Sequence, residues 1–480
     1  MQVETPQSVL RFGVARCDIT PPVGIYHRMW GAATHERAEG IHRPLLASAV
    51  VFAPVNSHDE RRLVLITLDH CLLGESEIGL LQVYLQHGGH CFVDDVLITF
   101  THTHGAGLMS LDRAGQPGGE MIEPYLREVA DHCAKLALEA CSHLVEATIT
   151  YGTGRCSLAT NRDLLDAERN IHVCGFNPGA SADDTVVVAR VTDGQGQTLA
   201  TLVNYACHPT TLAWENRLIS PDFIGAMRET VERDTGGAPC IFLQGASAEL
   251  GPREGFVGDV QVADRNGRQL AYAALEALTA LPPPRTSYHY QGPTISGATL
   301  GPWKHKPWNE SRQTAAAIFT RKHTKLQLAY RTDRPSYQEV VAAQEEQLRV
   351  EQDAQAAGDE VRARDAHALV ERHTRMRRRL DELPAGKYPY TIQVCKFGDA
   401  IWVGVRGELY SGLQTTLRNE FPGVPIIVMT LVDGWGPSYV VPREKYGRGL
   451  YQESVAVLAP GAFEQVVAEA IALVKATISK

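Results

Sequence analysis

The stretch Asp95-Val96-Leu97-Ile98-Thr99-Phe100-Thr101-His102-Thr103-His104-Gly105-Ala106-Gly107 joins an apolar run to a polar end punctuated by glycine. Its Val, Leu, Ile and Phe predict a buried strand over 95–101, with two histidines at its end. Outward from it, runs of the same kind recur at 47–52, 63–68, 147–151, 185–191, 198–205 and 240–243, each closed by Gly, Asp or Asn. Amphipathic stretches lie between several of them, notably 123–141 and 222–234. The latter carries Ile224, Met227 and Val231 at helical spacing behind Pro221-Asp222, a helix start. Strands alternating with helices predict an α/β core.

Beyond a long helix over 260–281, Pro282-Pro283-Pro284 ends this block. Residues 286–335 read as strand and loop, with a Trp- and Lys-rich turn at 303–308. The most polar segment, 336–383, is dense in Glu, Gln, Arg and Ala with Gly358 as its only break, and predicts a helical hairpin. Its basic run, Arg375-Met376-Arg377-Arg378-Arg379, is flanked by acidic residues and reads as a solvated helix face rather than a surface for nucleic acid or anionic lipid. Strands over 390–396, 401–405 and 425–430, and helices over 409–421 and 462–479, complete the chain. The expected fold is α/β, one large domain over 1–480 with mixed β-sheets flanked by helices, carrying the 336–383 hairpin as an insertion.

Composition narrows the function. The 480 residues are 44% hydrophobic and 21% charged, an ordinary globular balance, and 46 basic against 55 acidic residues give a net charge of −9. No basic field exists to hold a phosphate backbone, so a nucleic-acid partner is not expected. No run reaches the roughly 20 apolar residues of a membrane span, and Met1–Pro6 lacks a secretory start. A cytoplasmic protein without a stable membrane anchor is expected. None of the ten cysteines forms a CxxC pair, and most lie in apolar runs, as buried free thiols do.

Four segments offer chemistry. In an extended His102-Thr103-His104 both imidazoles point to one side, which suits metal ligation; the plainer alternative is a polar strand end hydrogen-bonded to loops. Ala106 and Gly107 stand where an HxHxDH hydrolase signature needs Asp and His, and several strands precede this HxH, unlike that of amidohydrolase barrels. His208, followed by Pro209, is biased to extended backbone at another strand end and is either a ligand or a capped core histidine. Ser247 follows the 240–243 strand, but Glu249 stands where the Gly-x-Ser-x-Gly elbow needs glycine, so a serine hydrolase fits poorly. Glu408, between Gly407 and a helix, is a candidate site carboxylate or simply a complement to the helix dipole.

Taken together these segments resemble the neutral (non-lysosomal) ceramidase family, in its N-terminal catalytic domain. The likeness opens at Gly13-Val14-Ala15-Arg16-Cys17-Asp18-Ile19-Thr20 and runs through Gly40-Ile41-His42 and Leu68-Asp69 to the Thr-His-Thr-His segment. It continues in order through Asn161-Arg162-Asp163-Leu164-Leu165, His208-Pro209, Ile219-Ser220-Pro221-Asp222, Gly407-Glu408, Ser438-Tyr439-Val440-Val441 and Tyr451. It covers most of the chain and is weakest over 300–385.

The resemblance implies a zinc-dependent hydrolase that cleaves an amide bond of an N-acyl or related small-molecule substrate by attack of zinc-bound hydroxide. It implies that one Zn2+ is held by His102, His208, Glu408 and Tyr439. His104, Arg162 and Tyr451 would be catalytic, with His104 moving a proton to the leaving amine and Arg162 and Tyr451 stabilising the oxyanion. Glu249 is expected either to orient a histidine or Arg162, or to cap a turn.

Two departures stand out. The family's turn reads approximately G-D-V-S-P-N, its serine assigned as nucleophile, whereas here Gly251 occupies that position. The family also carries a C-terminal immunoglobulin-like domain, and this chain ends shortly after the expected last helix. The alternatives are a non-catalytic metal-binding homologue and a metal-independent serine hydrolase using Ser247. Pocket walls are expected from the 20–40 loop, the 105–120 loop and the 303–308 turn.

Overall fold

The run that leads into the two histidines forms the strand Val96–Phe100, every residue of it buried. The computed structural model describes residues 1–56 and 61–479. Val96–Phe100 is one edge of an eight-stranded sheet. From the opposite edge the order is Cys240–Gln244, Thr198–Tyr205, Thr185–Thr192, Val145–Arg155, Gln7–Asp18, Leu46–Ala53, Leu63–Leu68 and then Val96–Phe100. All seven strands expected in this part of the chain are present. The eighth, Gln7–Asp18, breaks the apolar pattern with Gln7, Ser8, Arg11 and Arg16. Its polar atoms are met inside the fold, Gln7 N donating to Asp399 Oδ2 (2.8 Å) and Ser8 Oγ lying 3.0 Å from the Tyr151 hydroxyl.

Strand–helix alternation is confined to the two outer pairs of this sheet. Leu63–Leu68 and Val96–Phe100 are parallel, joined through helix Glu75–His87, which the sequence reading missed. Thr198–Tyr205 and Cys240–Gln244 are parallel, joined through helix Phe223–Asp234. The middle pairs are antiparallel.

Period-two burial then builds layers. Along Leu46–Ala53, Ala47, Ala49 and Val51 pack beneath helices Glu75–His87 and Ile122–Ser142, while Val50 and Phe52 face the other way. There they meet a second sheet, ordered Phe319–Leu328, Tyr388–Phe397, Ala400–Val405 and Ile426–Met429. The Phe52 ring lies 5.1 Å from that of Phe397 and 5.2 Å from that of Trp402. Burying one such phenylalanine contributes about 2–3 kcal/mol. The far side of the second sheet, with Ile392, Val394 and Val403, is covered by helices Gly412–Glu420 and Ala462–Ile478. The result is four layers, helix, sheet, sheet, helix. Gly13 marks a close approach between layers: a Cβ there would sit 1.9 Å from Ala140 O of helix Ile122–Ser142.

The large sheet curls until its two edge strands, Val96–Phe100 and Cys240–Gln244, touch. Residues 430–433 bridge them. Thr430 N donates to Gln244 O (3.1 Å), Asp433 N donates to Ile98 O (2.8 Å), and Ile98 N donates back to Asp433 Oδ1 (3.0 Å). The strand ends that carry His102 and His208 therefore converge on one spot.

Three expectations are corrected. The 303–308 turn is the strand Trp303–Pro307, paired with Thr286–Tyr290, and Trp308 packs under Arg312, so neither tryptophan lines the main cavities. The helix expected over 409–421 starts only at Gly412, because Glu408–Leu409 pairs in parallel with Tyr439–Val440. The hairpin 336–383 forms as helices Tyr337–Ala356 and Glu360–Glu382 around Gly358 (φ +71°), opened by a Ser336–Glu339 capping box. Its second helix is not a solvated face, however: it is docked, with Glu371 accepting from Arg113 (2.9 Å) and Arg378 bonding to Glu77 (2.6 Å). All ten cysteines are free thiols, seven of them buried.

Burial raises the carboxyls of Asp222 and Asp433 to about 6. The unfolded chain releases these protons near 3.8, so between the two values the folded state binds more protons. Their contribution therefore falls as pH rises from about 4 to about 6. Asp433→Asn, which keeps an acceptor for Ile98 N, is expected to flatten that part of a stability–pH profile measured by urea unfolding; an unchanged slope refutes the assignment.

Candidate metal centre

Two backbone bonds prolong the pairing past the strand end, Thr101 N to Leu68 O and His102 N to His70 O, both 2.9 Å. His102 then turns the chain with φ +67°. The His-x-His segment is thus not extended as expected, yet the His102 and His104 rings still face one site, 5.0 Å apart. His102 Nδ1–H donates to Cys71 O (2.7 Å), which turns Nε2 inward to 3.3 Å from Glu408 Oε2. His208 repeats the device from the other edge strand: Nδ1–H donates to Ser247 O (2.7 Å), and Nε2 lies 2.9 Å from the same Glu408 oxygen. Such backbone acceptors are the usual means of fixing the tautomer of a metal-binding imidazole. Glu408 and Tyr439 are register partners in their parallel pair, and the Tyr439 hydroxyl reaches 3.3 Å from His208 Nε2. That pair needs Gly407 (φ +77°), where a Cβ would stand 2.4 Å from Ser438 O.

Electrostatics tests whether these residues suit a cation. Burial, then the Arg162 guanidinium, pushes the His208 pKa down to about 3, so its ring is neutral. With its proton on Nδ1, the Nε2 lone pair faces a carboxylate oxygen at 2.9 Å in a buried site. A cation held between the two would satisfy both lone pairs. Burial opposes charge on Glu408, but His102 outweighs it and holds the carboxyl well below its usual range. Two imidazole nitrogens, a carboxylate and a phenol oxygen form a donor set suited to zinc. Cys71 is less of a bystander than expected: it lines the cavity and forms an alternative cluster with His102 and His104. Its thiol, though, lies on the Nδ1 side of His102, 3.5 Å away.

The other expected residues gather around this cluster. Arg162 gives Nε and one NH2 to Ala248 O (3.0 and 2.7 Å), and the same NH2 donates to the Tyr439 hydroxyl (3.1 Å). Burial opposes its charge, but Tyr439, Cys174 and Glu408 keep its pKa above the ordinary value. His104, its ring 5.2 Å from Trp30, has a buried Nε2 without a partner among the described residues, and burial holds it neutral. Tyr451 is half-exposed, 5.9 Å from the Tyr439 ring. Glu249 touches neither a histidine nor the Arg162 side chain. It accepts from Ser411 N (3.0 Å) at the head of helix Gly412–Glu420, the capping role, and burial lifts its pKa to about 7. Ser247 stands behind His208, its hydroxyl 3.2 Å from Nδ1 and bonded by Gln244 (2.7 Å), away from the cavity. Gly251 faces Arg162 and Thr210 at ordinary contact distance for a Cβ, 3.6 and 3.8 Å.

The cluster opens into a cavity of about 340 Å³ and an adjoining smaller one, both lined by Met29, His104, Tyr439, Tyr451 and Val455. The expected 20–40 and 105–120 loops supply Met29, Trp30, Leu108 and Arg113, while Met109 is core. Sequence reasoning missed the largest wall, the second hairpin helix with Ala368, Arg375 and Arg379. The signal was their spacing of seven and four, which puts them on one helix face.

Residues 10–248 match the family profile described as neutral/alkaline non-lysosomal ceramidase, N-terminal. The chain belongs to the neutral/alkaline non-lysosomal ceramidase family. The neutral ceramidase of Pseudomonas aeruginosa is 26% identical over 255 residues, covering 50% of this chain and 37% of that protein. That of Drosophila pseudoobscura pseudoobscura is 27% identical over 241 residues, covering 47% and 32%. The match thus spans about a third of the length of these family members. The crystal structure of the Pseudomonas aeruginosa neutral ceramidase superposes with a TM-score of 0.63 at 18% identity, over 98% of this chain and 75% of that one. A ceramidase complexed with C2 gives 0.62 at 17% identity. The four-layer architecture is therefore the family's own. Glu408, Tyr439 and Tyr451 lie beyond the profile match, and geometry alone joins them to His102 and His208.

Proposed function

We propose that this chain is a zinc-dependent hydrolase of amide bonds in small molecules. The observation that carries the reading is the neutral His208 imidazole presenting its lone pair to Glu408 at 2.9 Å, with His102 and Tyr439 completing the donor set. When bound there, zinc lowers the pKa of a water to roughly 7 and polarises a carbonyl. Arg162, charged and already fixed on Ala248 O, stabilises negative charge developing on the amide oxygen, helped by the Tyr451 hydroxyl. His104, neutral and with Nε2 free, takes a proton and returns it to the leaving amine. Family membership supports the bond class, since the matched relatives are named neutral ceramidases. With Gly251 in place of the family's serine and Ser247 facing away from the cavity, no acyl-serine step is invoked.

Metal analysis of the purified protein, paired with hydrolysis of N-acyl amides of graded chain length, tests the reading. About one zinc per chain is expected, with turnover abolished by chelation and restored by zinc. Less than about half an equivalent overturns the metal centre. Full zinc without turnover of any amide leaves a metal-binding protein rather than a hydrolase.

A further inference from the structure

The arginines of the cavity wall are not alike. Arg113 is paired with Glu371 (2.9 Å), and Arg378 is held by Glu77 (2.6 Å), Asp112 (3.1 Å) and Glu382 (3.1 Å). Arg375 gives one NH2 to Met29 O, lies 3.9 Å from Glu371 and leaves Nε unmet. Arg379 differs from all three. Among the described residues it makes no hydrogen bond and no ion pair, and its Nε is buried without a partner. Its guanidinium carbon lies 5.7 Å from the Trp435 ring, and Tyr451, Glu408 and Tyr439 favour its charge from within the cavity. It lines the cavity together with His102, Glu408 and Tyr439, opposite apolar walls from Met29, Leu108 and Val455.

A partly buried guanidinium without an ion-pair partner is costly, and burial lowers its pKa here. The metal centre does not supply a partner, because its one carboxylate, Glu408, is turned toward His102 and His208 at 3.3 and 2.9 Å. The unpaired NH2 groups of Arg379 are left to meet an anion that arrives with the ligand. A guanidinium fork suits a carboxylate in particular.

We infer that Arg379, with Arg375 one helical turn away, binds an anionic group of the substrate, so that the amide taken by this cavity carries a carboxylate beside an apolar chain, as an N-acyl amino acid does. The inference rests on the amide hydrolysis proposed above, and it separates this substrate class from a neutral amide bearing only hydroxyls.

The test compares matched pairs: N-dodecanoylglycine against N-dodecanoylethanolamine, with the anion on the amine side, and dodecanedioic acid monoamide against dodecanamide, with the anion on the acyl side. In at least one pair the zinc-loaded protein is expected to favour the anionic member by about 10- to 100-fold in kcat/KM. Arg379→Gln should collapse that preference, and Arg379→Lys should restore part of it. Arg377→Gln, whose arginine donates to Gln344 (3.1 Å) away from the cavity, should leave it intact. Fluorescence titration of the metal-stripped protein, read through Trp30 and Trp435, gives a second measure: the anionic member should bind more weakly to Arg379→Gln by a similar factor. The thermal midpoint of Arg379→Gln should fall little, since no hydrogen bond or ion pair is lost and only the distant Trp435 contact goes; a marked fall would assign Arg379 a structural role instead. Equal handling of both members of both pairs, or a preference that survives Arg379→Gln, overturns the inference. Discrimination in binding without any cleavage upholds it and removes the amide hydrolysis; cleavage without discrimination does the reverse.

Discussion

The Glu408→Ala protein is expected to fold, to bind less than about a tenth of an equivalent of zinc, and to lose on the order of a thousandfold or more in amide hydrolysis. Glu408 is the anion toward which both inward-facing imidazoles are turned, at 2.9 and 3.3 Å. Without it the remaining donors are two imidazoles and a phenol whose pKa burial pushes well up, with no carboxylate among them, so little draws a divalent cation out of water. The fold should survive, because the two rings keep their bonds to Ser247 O and Cys71 O and the strand pairing of 408–409 uses main-chain atoms. Plasma emission spectroscopy on dialysed protein and a parallel rate assay decide the matter. Stoichiometric zinc in the variant would mean that the metal sits elsewhere, the Cys71, His102 and His104 cluster being the next place to look.

The second large effect is on stability. Asp69→Ala is expected to cost about 3–5 kcal/mol, the range for breaking one partner out of a buried ion pair. Asp69 and Arg228 are both buried, and one Arg228 NH2 reaches the two carboxylate oxygens at 2.9 and 2.8 Å. The same carboxylate receives Leu46 N (2.8 Å). Alanine leaves the guanidinium uncompensated and one main-chain donor unmet. The damage reaches the metal centre, since the next residue, His70, supplies the carbonyl that holds His102 N (2.9 Å). Urea unfolding of the metal-free proteins isolates the stability term, and a loss under about 1 kcal/mol contradicts the argument. Asp69→Asn, which keeps acceptors for Leu46 N, should lose less.

What could be read from the sequence, and what could not, follows from how each residue is buried. Strands such as Leu63–Leu68 and Thr198–Tyr205 are covered on both faces, so they read as continuous apolar runs and their bounds agree with the fold. Gln7–Asp18 sits at the centre of the same sheet but satisfies its polar groups through partners 143 to 392 residues distant, which local periodicity cannot register. His102 announced itself by its place at a strand end. His208 and Glu408 were ambiguous as isolated residues, and only the resemblance set them beside His102. The basic run 375–379 was misread because charge was counted along the chain. On the helix, Arg375 and Arg379 share a face with Ala368 and Met376, whereas Arg377 points away.

The bridge at 430–433 bears on how the molecule is made. The two edges of the large sheet receive these closing hydrogen bonds from residues translated 186 and 335 positions later. During synthesis the first half of the chain therefore carries two unsheathed strand edges for many seconds, a state prone to sticking to other chains. Residues 10–248, although they are what the family profile matches, end without that closure and without Glu408 and Tyr439, two of the four proposed metal ligands. They mark a unit of descent rather than a unit of folding, and the proposed metal centre is assembled last.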